Sequence, residues 1–279
     1  MAASLIDTGT PDLLAALDQG VLTLTMNRPE ARNAMSRAMN QALQDQLATA
    51  EFNPAVKCIV LTGAGKGFCA GGDVKGMAAA GDVSKMGTVA ALTLDEAIAR
   101  QRSNQRATAG KLFKMAKPTI AALPGAAAGA GLALALACDL RLMASTAIMT
   151  TAFARVGYSG DYGGSYFLTQ LVGSAKAREL YFLSDRVAAD EALRLGLTNW
   201  VCAPDELAAK TAEIAARLAS GPTVAYRYMK ENLNRAMAGE VDDCLDLEAT
   251  HHVHCGLTED HREATTAFVE KREPVFNGR

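Results

Sequence analysis

The chain has 279 residues, of which 49% are hydrophobic and 21% charged, and its formal net charge is -2. That length buries one large core or two small ones, and the near-neutral balance excludes an electrostatic footprint for nucleic acid or an anionic membrane surface. The six cysteines are scattered without CxxC pairs, a pattern of reduced thiols in a cytoplasm rather than of a disulfide framework.

The opening stretch has no basic start ahead of an apolar run, so it does not read as a secretory signal. VLTLTM (21–26) alternates apolar residues with threonine and predicts a strand; the helix MSRAMNQALQDQLATAE follows, then a compact buried strand, VKCIVLTG (56–63). Residues 76–90 hold no clean period and are expected to form a mobile surface loop, part of an irregular region reaching to about 110. KPTIAALPG (117–125) and LRLMAS (140–145) are further strands. The longest apolar run, AALPGAAAGAGLALALAC (121–138), is broken by Pro124 and by glycines and stops at Asp139. It reads as strand, tight loop and buried helix rather than a membrane span. Strands alternating with helices argue for a parallel sheet in an α/β domain. Beyond about residue 165 strand patterns nearly vanish: KARELYFLS, ADEALRLGL, DELAAKTAEIAARLA and TVAYRYMKENLNRAMA all have helical spacing. The division expected is an α/β core over 1–200 and a helical region over 201–279.

Two glycine-rich loops follow buried strands, TGAGKGFCAGGDVKGM (62–77) and LPGAAAGAGLALALACD (123–139). Neither is a phosphate cradle: Gly67 stands after Lys66 where a Walker A loop needs Ser or Thr, and no GxGxxG with a distant acid is present. Small residues also let backbone N–H groups approach a ligand oxygen, and two such loops on neighbouring strands can aim one N–H each at a carbonyl that becomes an enolate. The alternative is tight packing of loop on helix.

Asp161, in RVGYSGDYGGSYF, has no basic residue within five positions. It is either the cap of a helix beginning near Gly163 or a carboxylate isolated to move protons. Asp139 reads as a structural acid, pairing with backbone N–H groups or with Arg141. Cys69 and Cys138 adjoin the loops without basic neighbours and read as inert thiols. His251 and Cys255 share a helix face at metal-ligand spacing, but no further ligand pair accompanies them, so no metal is expected.

The ordered set NRPEARNAM, VLTGAGKGFCAGGD, KPTIAALPGAAAGAGLALALACDLRLMA, GDYGGSYFLTQLVG and AFVEKREPVF resembles the enoyl-CoA hydratase/isomerase (crotonase) family, from about residue 20 onward. The resemblance implies a spiral of ββα turns, a C-terminal helical trimerisation region, an acyl-CoA substrate and no metal or redox cofactor. It implies that the thioester oxygen is held by the N–H groups of Gly72 and of Ala130 or its neighbour Gly131. Arg28, Arg32, Ala34, Ala70, Asp73 and Val74 match the segments that hold CoA, and Phe268 and Lys271 match C-terminal residues that reach CoA, often from a neighbouring subunit. A homotrimer or a dimer of trimers, without nucleic-acid or membrane partners, is expected in the cytoplasm.

The departures matter as much. Family hydratases use two glutamates, and their positions hold Ala133 and Phe153 here. Neither activates water. Asp161 instead falls where several family members carry a catalytic aspartate, and FARVGYSGDYGGSYFL looks most like the phenylacetate-pathway isomerases. In an apolar pocket with Phe153, Tyr158 or Tyr162, such a group shifts a double bond by moving one proton. Three other readings stay open: a hydratase using another acid, a dehalogenase with Asp161 as nucleophile and a histidine helper, and a non-catalytic acyl-CoA-binding paralogue.

Overall fold

The computed structural model of the chain describes residues 3–73 and 92–279. An antiparallel meander opens it: β1 (Ser4–Ile6), β2 (Leu13–Asp18) and β3 (Val21–Met26). Helix α1 (Arg37–Phe52), capped by the Ser36 hydroxyl on the Met39 N–H at 3.0 Å, leads to β4 (Cys58–Gly63) and the short β5 (Gly67–Cys69). After α2 (Leu94–Ala107) and α3 (Ala109–Lys114) come β6 (Thr119–Leu123), β7 (Ala126–Ala128), α4 (Ala130–Ala137), β8 (Leu140–Ala144) and β9 (Ile148–Thr150). The remainder is α5 (Gly164–Leu183), β10 (Val187–Ala188), α6 (Ala189–Arg194), β11 (Trp200–Cys202), α7 (Leu207–Ala219), α8 (Thr223–Ala236), α9 (Val241–Gly256) and α10 (Glu259–Glu270).

Among the described residues the strands form a large sheet in the order β1-β2-β3-β4-β6-β8-β11 and a small one in the order β10-β9-β7-β5. From β3 to β11 every neighbouring pair in the large sheet is parallel. The pairs β4–β5, β6–β7 and β8–β9 each give one strand to either sheet, and this is the ββα spiral. Parallel strands buried on both faces read as continuous apolar runs, which is why CIVLTG and TIAAL were recognisable. Helix α4 is buried at all eight positions and has no polar face, so it fills the space between the sheets and α5.

LLAALD forms β2 by pairing with β3 over a buried face at Leu13 and Ala15. Two local expectations are corrected. Trp200–Cys202 adds a last parallel strand to the large sheet and Val187–Ala188 pairs with β9, both too short to carry a period. The region expected to be irregular up to 110 includes α2, which starts in a full capping box between Thr93 and Glu96. Residues 76–90 lie outside the described residues.

Asp139 is structural and takes a backbone N–H as expected, but its ion-pair partner is Lys230 rather than Arg141. Its Oδ2 accepts from the Thr119 N–H (2.7 Å) and hydroxyl (2.9 Å) and pairs with Lys230 Nζ at 2.8 Å. Arg141 turns instead to the carbonyls of Cys138 and Leu197. The buried Lys230 also donates to the Leu112 carbonyl (2.8 Å) and so ties α8 to the core.

Candidate active site

The first glycine loop is built around the 27–35 segment. Asn33 is fully buried and adopts a positive φ; its amide nitrogen donates to the carbonyls of Ala64 (2.9 Å) and Gly67 (2.8 Å), while its oxygen accepts from the Arg28 N–H. The Ala70 N–H donates to the Arg32 carbonyl (3.0 Å), and the Met35 N–H donates to the Gly71 carbonyl (2.8 Å) within a single parallel bridge between Met35 and Gly72. In such a bridge the paired residue's own N–H faces the other way, and the Gly72 N–H has no hydrogen-bond partner among the described residues.

The second loop meets the first directly. Gly71 has φ +90, and a Cβ there would stand 2.9 Å from the Ala128 carbonyl oxygen and 3.3 Å from the Ala130 nitrogen. At Gly131 a Cβ would stand 2.4 Å from the Cys69 carbonyl oxygen. Glycine at both positions is therefore what lets the loops close on each other. Ala130 is the first residue of α4, and its N–H, like others in a first helical turn, has no helical acceptor; Gly129, the cap, supplies no side chain. Two unpaired N–H groups, Gly72 and Ala130, thus stand on loops in contact, the second with the favourable end of a helix dipole behind it. Gly131 closes the packing.

Arg28, Ala34 and Asp73 also come together: an Arg28 Nη nitrogen lies 3.3 Å from Asp73 Oδ2, and Nη1 donates to the Ala34 carbonyl at 2.8 Å. Arg32 and Ala70 are exposed beside them. Val74 lies outside the described residues. Phe268 (85% exposed) and Lys271 stand at the end of α10, which packs on α9; no hydrogen bond among the described residues ties them to the loops.

Behind the loops lies the Asp161 turn. Ala133 on α4 faces Gly164, a Cβ on which would be 3.3 Å from the alanine's own. The Phe153 ring lies over Gly129 and stacks on Tyr181, with centroids 5.8 Å apart. No side chain caps α5 at Gly163, so Asp161 is not a helix cap. Its backbone carbonyl accepts from the Gly164 N–H (3.0 Å), but its buried Oδ1 has no hydrogen-bond partner among the described residues. Burial pushes its carboxyl up to about 6. The next residue, Tyr162, is buried at positive φ and its N–H donates to the Gln105 side chain of α2. Burial also raises the Tyr162 and Tyr181 phenols to about 12, with Asp161 adding to both.

Cys69 and Cys138 are buried, and desolvation raises both thiols to about 12. His251 stacks on Tyr228 (4.2 Å) and bonds Asn232 of α8, so the helix face shared with Cys255 is a packing face; no group of three or more His, Cys, Asp or Glu is placed for a metal among the described residues. Asn33, Gln105 and Tyr181 were not anticipated. The first had a hint, an asparagine inside a turn-rich stretch; the other two reach the site across the fold.

The family model described as enoyl-CoA hydratase/isomerase matches residues 16–279. The chain belongs to the enoyl-CoA hydratase/isomerase family. Among relatives in this family, the 1,2-epoxyphenylacetyl-CoA isomerase of Escherichia coli is 35% identical over 96% of this chain and 98% of its own. The crotonyl-CoA hydratase of Syntrophomonas wolfei is 33% identical over 95% and 97%. A crystal structure of an enoyl-CoA hydratase from Polaromonas sp. JS666 superposes with a TM-score of 0.86 at 31% identity, covering 95% of this chain and 99% of that one. The crotonase fold is common to them all. No described helix is long and apolar enough to cross a membrane.

Proposed function

We propose that this enzyme binds an unsaturated acyl-CoA, holds the thioester oxygen between the Gly72 and Ala130 N–H groups, and moves a double bond or isomerises a ring with Asp161 as the single proton shuttle. The observation that carries this reading is Asp161 itself: a half-buried carboxyl with one unpartnered oxygen, raised to about 6, on the turn packed against the helix that Ala130 begins. A group near that value is ionised enough at neutral pH to take a proton and basic enough to keep it until it is returned. Each backbone donor contributes on the order of a hundredfold or more, because it faces charge that develops only in the enolate. Ala133 and Phe153 offer no second acid, which favours isomerisation over hydration.

In this reading Arg28, Arg32, Ala34, Ala70, Asp73 and Val74 hold the CoA portion, Gly131 and Phe153 shape the acyl end, and Phe268 and Lys271 complete a neighbouring subunit's CoA site in a trimer or dimer of trimers. The cytoplasm is the compartment that suits its free cysteines.

The test compares wild type with Asp161→Asn on 2-enoyl, 3-enoyl and dienoyl-CoA thioesters, following double-bond migration and hydration by absorbance and mass. Migration is expected to fall at least ~100-fold while acyl-CoA binding persists. Hydration that dominates in wild type and survives the substitution would overturn the proposal.

A further inference from the structure

Among the described residues three buried side-chain atoms have no hydrogen-bond partner, and two of them, Asp161 Oδ1 and the Tyr181 hydroxyl, are on side chains of the same turn region that are electrostatically coupled but not bonded to each other in this structure. Tyr181 comes from the last turns of α5, twenty residues after Asp161, and returns over the turn that holds it. The edge of its ring is 2.9 Å from where a Cβ on Gly160 would stand, and its hydroxyl is 2.8 Å from the same point on Gly164. Those two glycines bracket Asp161. A side chain at either would push the ring away, and the stack on Phe153 fixes it from the other side.

The two orphan atoms are complementary. A phenol that keeps its proton up to about 12 is a donor throughout the range in which the carboxyl changes charge. Among the described residues the phenols of Tyr162 and Tyr181 are coupled to Asp161, and burial is the cause of its raised value. Ser165 stands near the Tyr181 hydroxyl, close enough to lower its value, without meeting hydrogen-bond geometry. Ionisation puts charge on the buried Oδ1, where a donor stabilises the charged carboxylate more than the neutral carboxyl.

We propose that Tyr181 is a positioning residue for Asp161: its hydroxyl is the donor that holds Oδ1 when the carboxylate is charged, leaving the other oxygen to the substrate. This rests on the reading of Asp161 as the proton shuttle. Tyr181 acts through Asp161 and sets the pH at which the shuttle becomes competent. Losing a hydrogen bond to a charged group is equivalent to about one pKa unit, and the loss disfavours the charged form, so the shift is upward.

The experiment follows the Asp161 carboxyl carbon by NMR in ligand-free, aspartate-labelled protein, with Asp161→Asn to assign the resonance. In Tyr181→Phe, which keeps the ring, the titration is expected about one unit higher, and the acid limb of kcat/KM for isomerisation should rise in parallel. Incorporating 3-fluorotyrosine at 181 sharpens the donor and should move the titration down; it also preserves the ring and hydroxyl should Tyr181→Phe fail to fold. An Asp161 titration that neither replacement moves overturns the inference. If Asp161→Asn remains fully active, the proposed function fails while the carboxyl titration still judges Tyr181.

Discussion

A carboxyl whose value is about 6 when folded and near 4 when unfolded binds its proton more tightly in the native state. Below about pH 4 the proton is on in both states and costs nothing. As the pH rises to 6 the unfolded chain releases it first, so native stability falls across that window and the deficit is complete above it. Because Asp161 is only partly enclosed, the full pKa difference is discounted to about 2 kcal/mol. Asp161→Asn should therefore be more stable than wild type at pH 7.5 and lose that advantage by pH 4, as measured by urea unfolding at both pH values. A substitution that removes activity while adding stability is what a strained functional group leaves behind. The isolation of Asp161 from basic residues was legible in the sequence. Its unpartnered oxygen was not, since that depends on how Tyr181 and Phe153 pack around the turn.

At the scale of elements, the buried contact between α8 and the sheet is a polar one. Lys230 Nζ is shared by Asp139 Oδ2 and the carbonyls of Leu112 and Lys117, and it is the ion-pair partner of Asp139 among the described residues. Lys230→Met keeps most of the side-chain volume but strands that carboxylate, and should cost about 3 kcal/mol in chemical unfolding. Asp139 and its backbone N–H partner could be read from its place between an apolar run and a strand, but the Lys230 ion pair could not, being ninety-one residues away. Long parallel strands and the all-apolar α4 were plain from composition. The strands that were missed, β1, β2, β10 and β11, are edge or two- to six-residue pieces whose conformation is imposed by the strand beside them rather than by their own pattern.

For the whole molecule, the C-terminal helices expose a series of large apolar side chains. Val241, Leu245, Val253, Leu257, Phe268 and Val269 are each more than half exposed on α9, α10 and the turn between them. Light scattering coupled to size exclusion is expected to give three or six chains. Leu245→Arg with Val253→Arg should reduce the mass to one chain and weaken acyl-CoA binding at least about tenfold, if Phe268 and Lys271 serve a neighbour's site. The exposure of Phe268 belongs to this scale, since no period in the sequence marks which apolar residues of these helices stay uncovered.

The two N–H groups of the site differ in how they are anchored. Ala130 opens a helix enclosed on every side, whereas Gly72 hangs from one main-chain bridge to Met35. Deuterium should enter the hydrogen-bonded amides of α4, from Ala133 onward, only when the entire protein unfolds, while the unbonded Gly72 amide exchanges without that event. Adaptation to a new acyl group would then accumulate on the Gly72 side, because a change beside Ala130 must displace the core itself.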